Sequence, residues 1–207
     1  MNTRLVALSV SAAALVVAAG TFVVIGGAGA PSPAPAAAPA PAEAKTYTVD
    51  PVHSSIVFKI KHMNASSFYG TFNETKGSFS LGEMASVDVT VKADSVETRN
   101  SKRNDHVKSP DFLSVKEFGE ITFSAKDLHK SGDSYKGSGE LTLHGVKKPI
   151  DVDIKVTGSG PGMGGKGEVA GIESMFTIKR SDFGMKGMIG PLGDDVTLMV
   201  AFEGGTK

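Results

Sequence analysis

After Lys45 the hydrophobic period of the chain is close to two. Ile56, Phe58, Ile60 and His62 alternate with Val57, Lys59, Lys61 and Met63, and Val87, Val89 and Val91 alternate with Asp88, Thr90 and Lys92. The pattern returns at Ile150, Val152, Ile154 and Val156, set against Asp151, Asp153 and Lys155, and again at Val196, Leu198, Val200 and Phe202. A period of two sends one set of side chains inward and the other into water, as in an antiparallel sheet wetted on one face. Turn residues separate the runs: Tyr69-Gly70, Lys76-Gly77, Ser131-Gly132-Asp133, Gly137-Ser138-Gly139 and the glycine-rich stretch 158–167. About eight strands at this spacing suit an up-and-down barrel or a sandwich.

One stretch breaks the alternation. Asn100 to Phe118 is polar and carries Phe112, Leu113, Val115 and Phe118 at roughly helical spacing. It reads as a loop with one or two short helices capping an end of the sheet. Ser109-Pro110 has the form of a helix start, with Ser as cap and Pro in the first turn.

The first 44 residues differ in kind. No charged side chain occurs between Leu5 and Ala42. The apolar run 5–25, at about 1.5 Å per residue, is long enough to cross a bilayer core. It also exceeds the roughly 7–15-residue apolar core of a secretory signal. A Pro/Ala linker at 31–44 follows, unable to pack. Residues 1–30 are therefore a signal peptide or an N-terminal membrane anchor, with cleavage sites at Ala28-Gly29-Ala30 and Ala42-Glu43-Ala44 competing with no cleavage at all. Either reading exports the domain at 45–207. The expected location is periplasmic, tethered to the inner membrane by residues 5–25 if the segment is retained.

Composition removes several chemistries. The 207 residues carry 22 Lys plus Arg against 22 Asp plus Glu, so no generic electrostatic grip on nucleic acid is expected. The absence of cysteine removes disulfides, thiolate metal sites and cysteine nucleophiles. The five histidines show no His-x-His or His-x-x-x-His pair, so no metal site is predicted. His62 shares the inward face of Phe58, and a buried imidazole without a partner would cost about 1–3 kcal/mol. Gly160 to Gly165 matches G-x-G-x-x-G and Gly160 to Lys166 matches G-x-x-x-x-G-K, but neither lies between a strand and a helix. A flexible hairpin loop is expected there instead. Arg180 and Asp182 would share a face if extended, in the manner of a structural ion pair. Asp105-His106 is a candidate acid–base pair, though neighbours in a polar loop are commonly solvated. No nucleophile–base pair stands out, and no enzyme activity is expected. The inward face, rich in Phe58, Phe72, Phe79, Phe123, Phe176 and Phe202, either packs as a core or encloses one small apolar ligand.

The order and spacing of several motifs resemble the YceI-like family of exported bacterial proteins. They are Asp50-Pro-Val-His53-Ser54-Ser-Ile-Val-Phe58, His62, Gly70-Thr-Phe72, Ser95-Val-Glu-Thr98, Asp105-His106-Val107-Lys108-Ser109-Pro110-Asp111-Phe112 and Ile121-Thr-Phe123. Gly139 through His144-Gly145 to Lys148-Pro149, Arg180-Ser-Asp182-Phe183-Gly184 and Asp195-Val196 complete the set. Val107 replaces the usual Leu, Phe118-Gly119 replaces a common Phe-Pro, and the loop at 158–167 is a local elaboration. The resemblance implies an all-β fold, an extended eight-stranded antiparallel lipocalin-like barrel with a short helical insertion near 100–118. It further implies an apolar cavity holding a polyisoprenoid chain, such as a quinone tail or polyprenyl phosphate. That lipid is the expected partner, with no catalysis, no other cofactor and a homodimer left open. Phe58, Ile60, His62, Phe72, Val89, Phe112, Phe123 and Leu141 are the expected lining. A stress or redox accessory protein that docks on a membrane partner, its barrel packed and ligand-free, is the rival reading.

Overall fold

The computed structural model describes residues 43–206. Residues 1–42, which hold the expected signal or anchor and nearly all of the linker, lie outside the described residues. Among the described residues no helix is long and apolar enough to cross a membrane.

Eleven strands form one closed sheet of eight staves. Each of the first three staves is broken once. The first is β1 (Lys45–Val49) with β2 (Ser55–His62), the second β3 (Ser66–Phe72) with β4 (Thr75–Leu81), and the third β5 (Met84–Lys92) with β6 (Val96–Glu97). The rest are β7 (Glu120–Ser131), β8 (Ser134–Leu143), β9 (Val146–Pro161), β10 (Glu168–Lys179) and β11 (Leu192–Gly205). Neighbours pair antiparallel in chain order, and the ring closes because β11 pairs with β10 on one edge and with β2 and β1 on the other. The alternating runs seen in the sequence are the inward faces of these staves.

The breaks lie side by side and are pinned together. At the first, Asp50 accepts the Val52 N–H at 2.8 Å, and the Asp50 N–H donates to the Glu203 carbonyl at 2.8 Å. At the second and third, the Ser95 hydroxyl oxygen accepts the N–H groups of Asn73 and Glu74, both at 3.1 Å, and donates to the Lys92 carbonyl at 2.7 Å. The backbone groups released from the ladder thus find partners, as buried or half-buried polar groups must. The result is a crease across three staves, with a different interior on each side of it.

On the β1–β4 side the barrel is filled. Tyr47 stacks on Phe79 with ring centroids 5.2 Å apart, and its hydroxyl donates to Glu168 at 2.7 Å. Leu128 is fully buried, and the Tyr135 hydroxyl donates to the Gly82 carbonyl at 2.6 Å. These residues belong to one packed core that includes Val49, Ala85, Ala125 and Ala170.

The insertion between β6 and β7 holds a single helix, α1 (Ser101–Lys108). Asn100 caps it by accepting the Arg103 N–H, the standard arrangement for an Asn in extended backbone at a helix start. The expected start at Ser109-Pro110 is its end instead. A residue before proline is pushed out of the α region, and Ser109 is extended at φ −70°, ψ 170°. Phe112, Leu113 and Val115 follow in tight turns rather than in a second helix. The glycine-rich stretch is likewise only half a loop, since β9 runs on to Pro161.

Candidate functional site

Beyond the crease the staves enclose a cavity of about 580 Å³. One wall is built by the inward faces of β2, β3, β10 and β11, the other by those of β5, β7, β8 and β9, and α1 with its following turns closes a side. Phe58, Ile60 and His62 from β2 and Phe72 from β3 stand on the first wall. Val89, Phe123 and Leu141 stand on the second, and Phe112 comes from the insertion. All eight side chains expected to line an apolar interior are therefore on this cavity.

Exposure varies along both walls. Val87, Val89, Leu141, Leu143, Val152 and Ile154 are buried, whereas Phe58, Ile60, Phe123, Phe176, Leu198 and Val200 keep partial exposure although their parity points inward. Those half-exposed side chains border the void. Two glycines widen it. Phe58 lies over its cross-strand partner Gly70, where an added Cβ would come within 2.3 Å of the ring. Phe123 lies over its diagonal neighbour Gly139, where an added Cβ would come within 2.4 Å of the ring. Each ring can lie flat against the wall only because its neighbour lacks a side chain.

Polar side chains gather at one end. His62, at the end of β2, is exposed and on the rim, so the imidazole expected to need a buried partner has water. Arg103 is fixed by bonds to the Thr98 hydroxyl at 3.1 Å and the Thr98 carbonyl at 2.5 Å, with its guanidinium 4.5 Å from the Phe68 ring centroid. His106 pairs with Asp111 at 3.3 Å and packs edge-on against Phe112. It does not form a pair with Asp105.

Arg180 is the residue the sequence misassigns most. It lies in a short 3-10 turn, Arg180–Phe183, with 3% of its surface exposed, and it makes no ion pair with Asp182. Its guanidinium donates to the carbonyls of Gly193 at 2.9 Å, Met185 at 3.0 Å and Gly187 at 2.7 Å, and lies 6.0 Å from the Phe112 ring centroid. Burial pulls its pKa below the ordinary value, with the Asp194 carboxylate opposing that shift. Asp194 is itself held low, chiefly by the hydroxyl and N–H of Ser181. The Arg180 group remains a cation at physiological pH. It ties the loop before β11 to the cavity and places positive charge on the wall.

Phe68, Phe176, Met185 and Leu192 also line the cavity without having been singled out as ligand residues. Phe176 was legible, since it shares parity with Ile172 and Ile178 on β10. Met185 lies in a loop with no period to read.

At the crease itself, Asp50, His53 and Glu203 form, among the described residues, the one group of three His or acidic side chains close enough to share an ion. The trio is bonded within itself. His53 Nδ1 lies 2.8 Å from Asp50 and 3.9 Å from Glu203, and all three are substantially exposed. The Asp50 bond raises the His53 pKa and lowers that of Asp50. Its evident work is to hold the seam between β1 and β11.

The profile of the YceI-like domain matches residues 47–204. The chain belongs to the YceI-like family. Its curated relatives include a UPF0312 protein of Pectobacterium atrosepticum, 38% identical over 156 residues, which are 73% of this chain and 81% of the relative. Among solved structures, the YceI protein of Campylobacter jejuni is 32% identical with a TM-score of 0.62, covering 78% of this chain and 98% of that one. A polyisoprenoid-binding domain from Saccharophagus degradans, 16% identical, shares the fold at a TM-score of 0.58 over 77% of this chain and 98% of its own. The creased, half-hollow barrel is thus this chain's form of the YceI-like fold.

Proposed function

We propose that this chain is an exported, non-catalytic carrier or sequestering protein that holds one isoprenoid lipid, of the quinone or polyprenyl phosphate type, in its barrel. The observation that carries the reading is the void itself. Protein interiors pack at a density near 0.75, and side chains that could fill the barrel do so on one side of the crease. On the other, aromatic and aliphatic side chains surround about 580 Å³ of space, within the usual range for a small-molecule site. An apolar tail gains about 0.8 kcal/mol per buried methylene. The cationic end at Arg103 and Arg180 suits a polar or anionic head. The name of the Saccharophagus degradans neighbour, a polyisoprenoid-binding domain, supports the same ligand class. The void speaks against a packed, ligand-free scaffold, the rival reading. In this proposal the segment 5–25 keeps the carrier at the inner membrane or is removed after export to the periplasm.

The test is native mass spectrometry of the chain from Lys45 onward, purified from its bacterial host without detergent and then extracted into organic solvent. A stoichiometric adduct that extracts as an isoprenoid is expected. A bare protein mass that stays bare after addition of quinone or polyprenyl lipid would overturn the reading.

A further inference from the structure

β9 and β10 part company midway. Their ladder runs from Glu168 opposite Pro161 to Ser174 opposite Ile154 and ends there. β9 nevertheless extends back to Val146 against β8, and β10 runs on to Lys179 against β11. Above the last rung, 146–153 and 175–179 face each other as two free edges. The Ser174 hydroxyl, donating to the Asp153 carbonyl at 2.9 Å, marks one end of this window. The contact between His144 Nδ1 and the Phe183 carbonyl, 3.1 Å, marks the other. At roughly 3.4 Å per residue, the free edge Met175–Lys179 is about 17 Å long.

Three features give the window a direction. Its inner lips are apolar, with Ile150 and Val152 on one side and Phe176 and Ile178 on the other. Ile150 and Phe176 remain half-exposed despite inward parity. The cavity wall also includes Glu173 and Ser174 at the apex of the fork, so the void extends along the barrel as far as the window. Finally, the β9 edge is guarded against strand addition: Pro149 offers no N–H, and Lys147 and Asp151 are exposed charges. The gap is therefore a passage and not a socket for a β-strand.

We propose that the β9–β10 fork is a lateral portal through which a long apolar chain slides sideways into and out of the barrel. This inference rests on the lipid-carrier reading. The cavity is about 580 Å³, so a tail too long for it has to extend through an opening. At the end of the barrel, that tail would pass Arg103, His106 and Arg180, whereas the window presents hydrocarbon on both lips. A chain leaving a bilayer sideways also keeps less of its length in water.

The chain has no cysteine, so paired thiols can be placed at will. In the full chain, Asp151→Cys with Thr177→Cys puts two outward thiols across the window. Gly160→Cys with Val169→Cys puts them on a rung that is already paired and lies away from the cavity wall. Each variant is bridged by a cleavable bismaleimide and offered a polyprenyl quinone in phosphatidylcholine vesicles. Uptake is followed by native mass, with the unbridged form of each variant as its own reference for folding. Bridging the window is expected to slow uptake roughly tenfold or more, reversibly on cleavage, and bridging the lower rung is expected to leave it unchanged. Equal slowing by both bridges, or loading of the window-bridged protein at the unbridged rate, would overturn the portal while leaving the lipid reading intact. An unmodified chain that takes up no quinone would overturn both.

Discussion

The two sides of the crease are built from the same eight staves and the same kinds of residue, yet one is solid and the other hollow. On the solid side each large side chain meets a partner: Tyr47 meets Phe79, and Leu128 is enclosed completely. On the hollow side Phe58 meets Phe72 at 5.8 Å and Phe123 meets Phe176 at 6.5 Å, but each pair also borders the cavity. Composition does not separate the two sides. The breaks in three staves and the fork between β9 and β10 do, because they carry one wall away from the other. Stability and binding are thereby assigned to different parts of one barrel.

The sharpest way to break this contrast is to truncate one aromatic from each side. Phe79→Ala is expected to cost about 3–5 kcal/mol, the range for emptying a packed core position. Phe176→Ala should cost less, about 1–2 kcal/mol, because that ring is half-exposed and borders open space although it stacks on Phe123. Urea unfolding of the two variants checks this, and equal losses would mean that the hollow side is no less packed than the solid one. Phe123→Asp should abolish retention of an isoprenoid lipid while the far-ultraviolet circular dichroism stays that of a folded barrel, since an ionised carboxylate among hydrocarbon groups is costly to bury with a tail. Retention at the wild-type level would remove Phe123 from the binding surface.

Smaller effects follow from titration. Burial, with Glu168 beside it, raises the Tyr47 pKa from 10.0 to about 12. The folded state therefore holds this proton more tightly than the unfolded chain does. Its contribution is complete below pH 10 and is lost as pH rises toward about 12. Thermal unfolding across that window should show a decline that Tyr47→Phe flattens. His53 gives the weakest signal. Its pKa is raised above the ordinary 6.5, so the seam contact is at full strength below that pH and fades as pH climbs past the folded value. Asp50, whose pKa is lowered from 3.8, sets the acid limit, with its contribution lost as pH falls through the folded value. Melting temperature compared just below and well above neutrality should fall slightly in the wild type and not at all in His53→Gln.

Much of this was legible in the sequence. Alternation located the staves and the inward set, and the motif order pointed to the family. The features that make the barrel hollow were not legible, and for physical reasons. Alternation along β9 and β10 states which way side chains point but not how far the two strands remain paired. Nothing local marks Ser174 as the last rung. Ser109-Pro110 has the composition of a helix start, yet Asn100 had the better geometry because its side chain could reach the Arg103 N–H. Arg180 seemed to need an acidic partner, and carbonyls from a loop without period satisfied it instead.

Gly70 and Gly139 set the bore of the barrel by what they lack. Because Phe58 and Phe123 rest on bare backbone, a single methyl group added behind either ring would push it toward the axis and narrow the lumen from outside, without touching a guest. Calibre can therefore drift between relatives through substitutions that no inventory of ligand contacts would include. A branched polyprenyl chain and a slimmer straight one could be told apart by the thickness of the wall alone, with every lining residue unchanged.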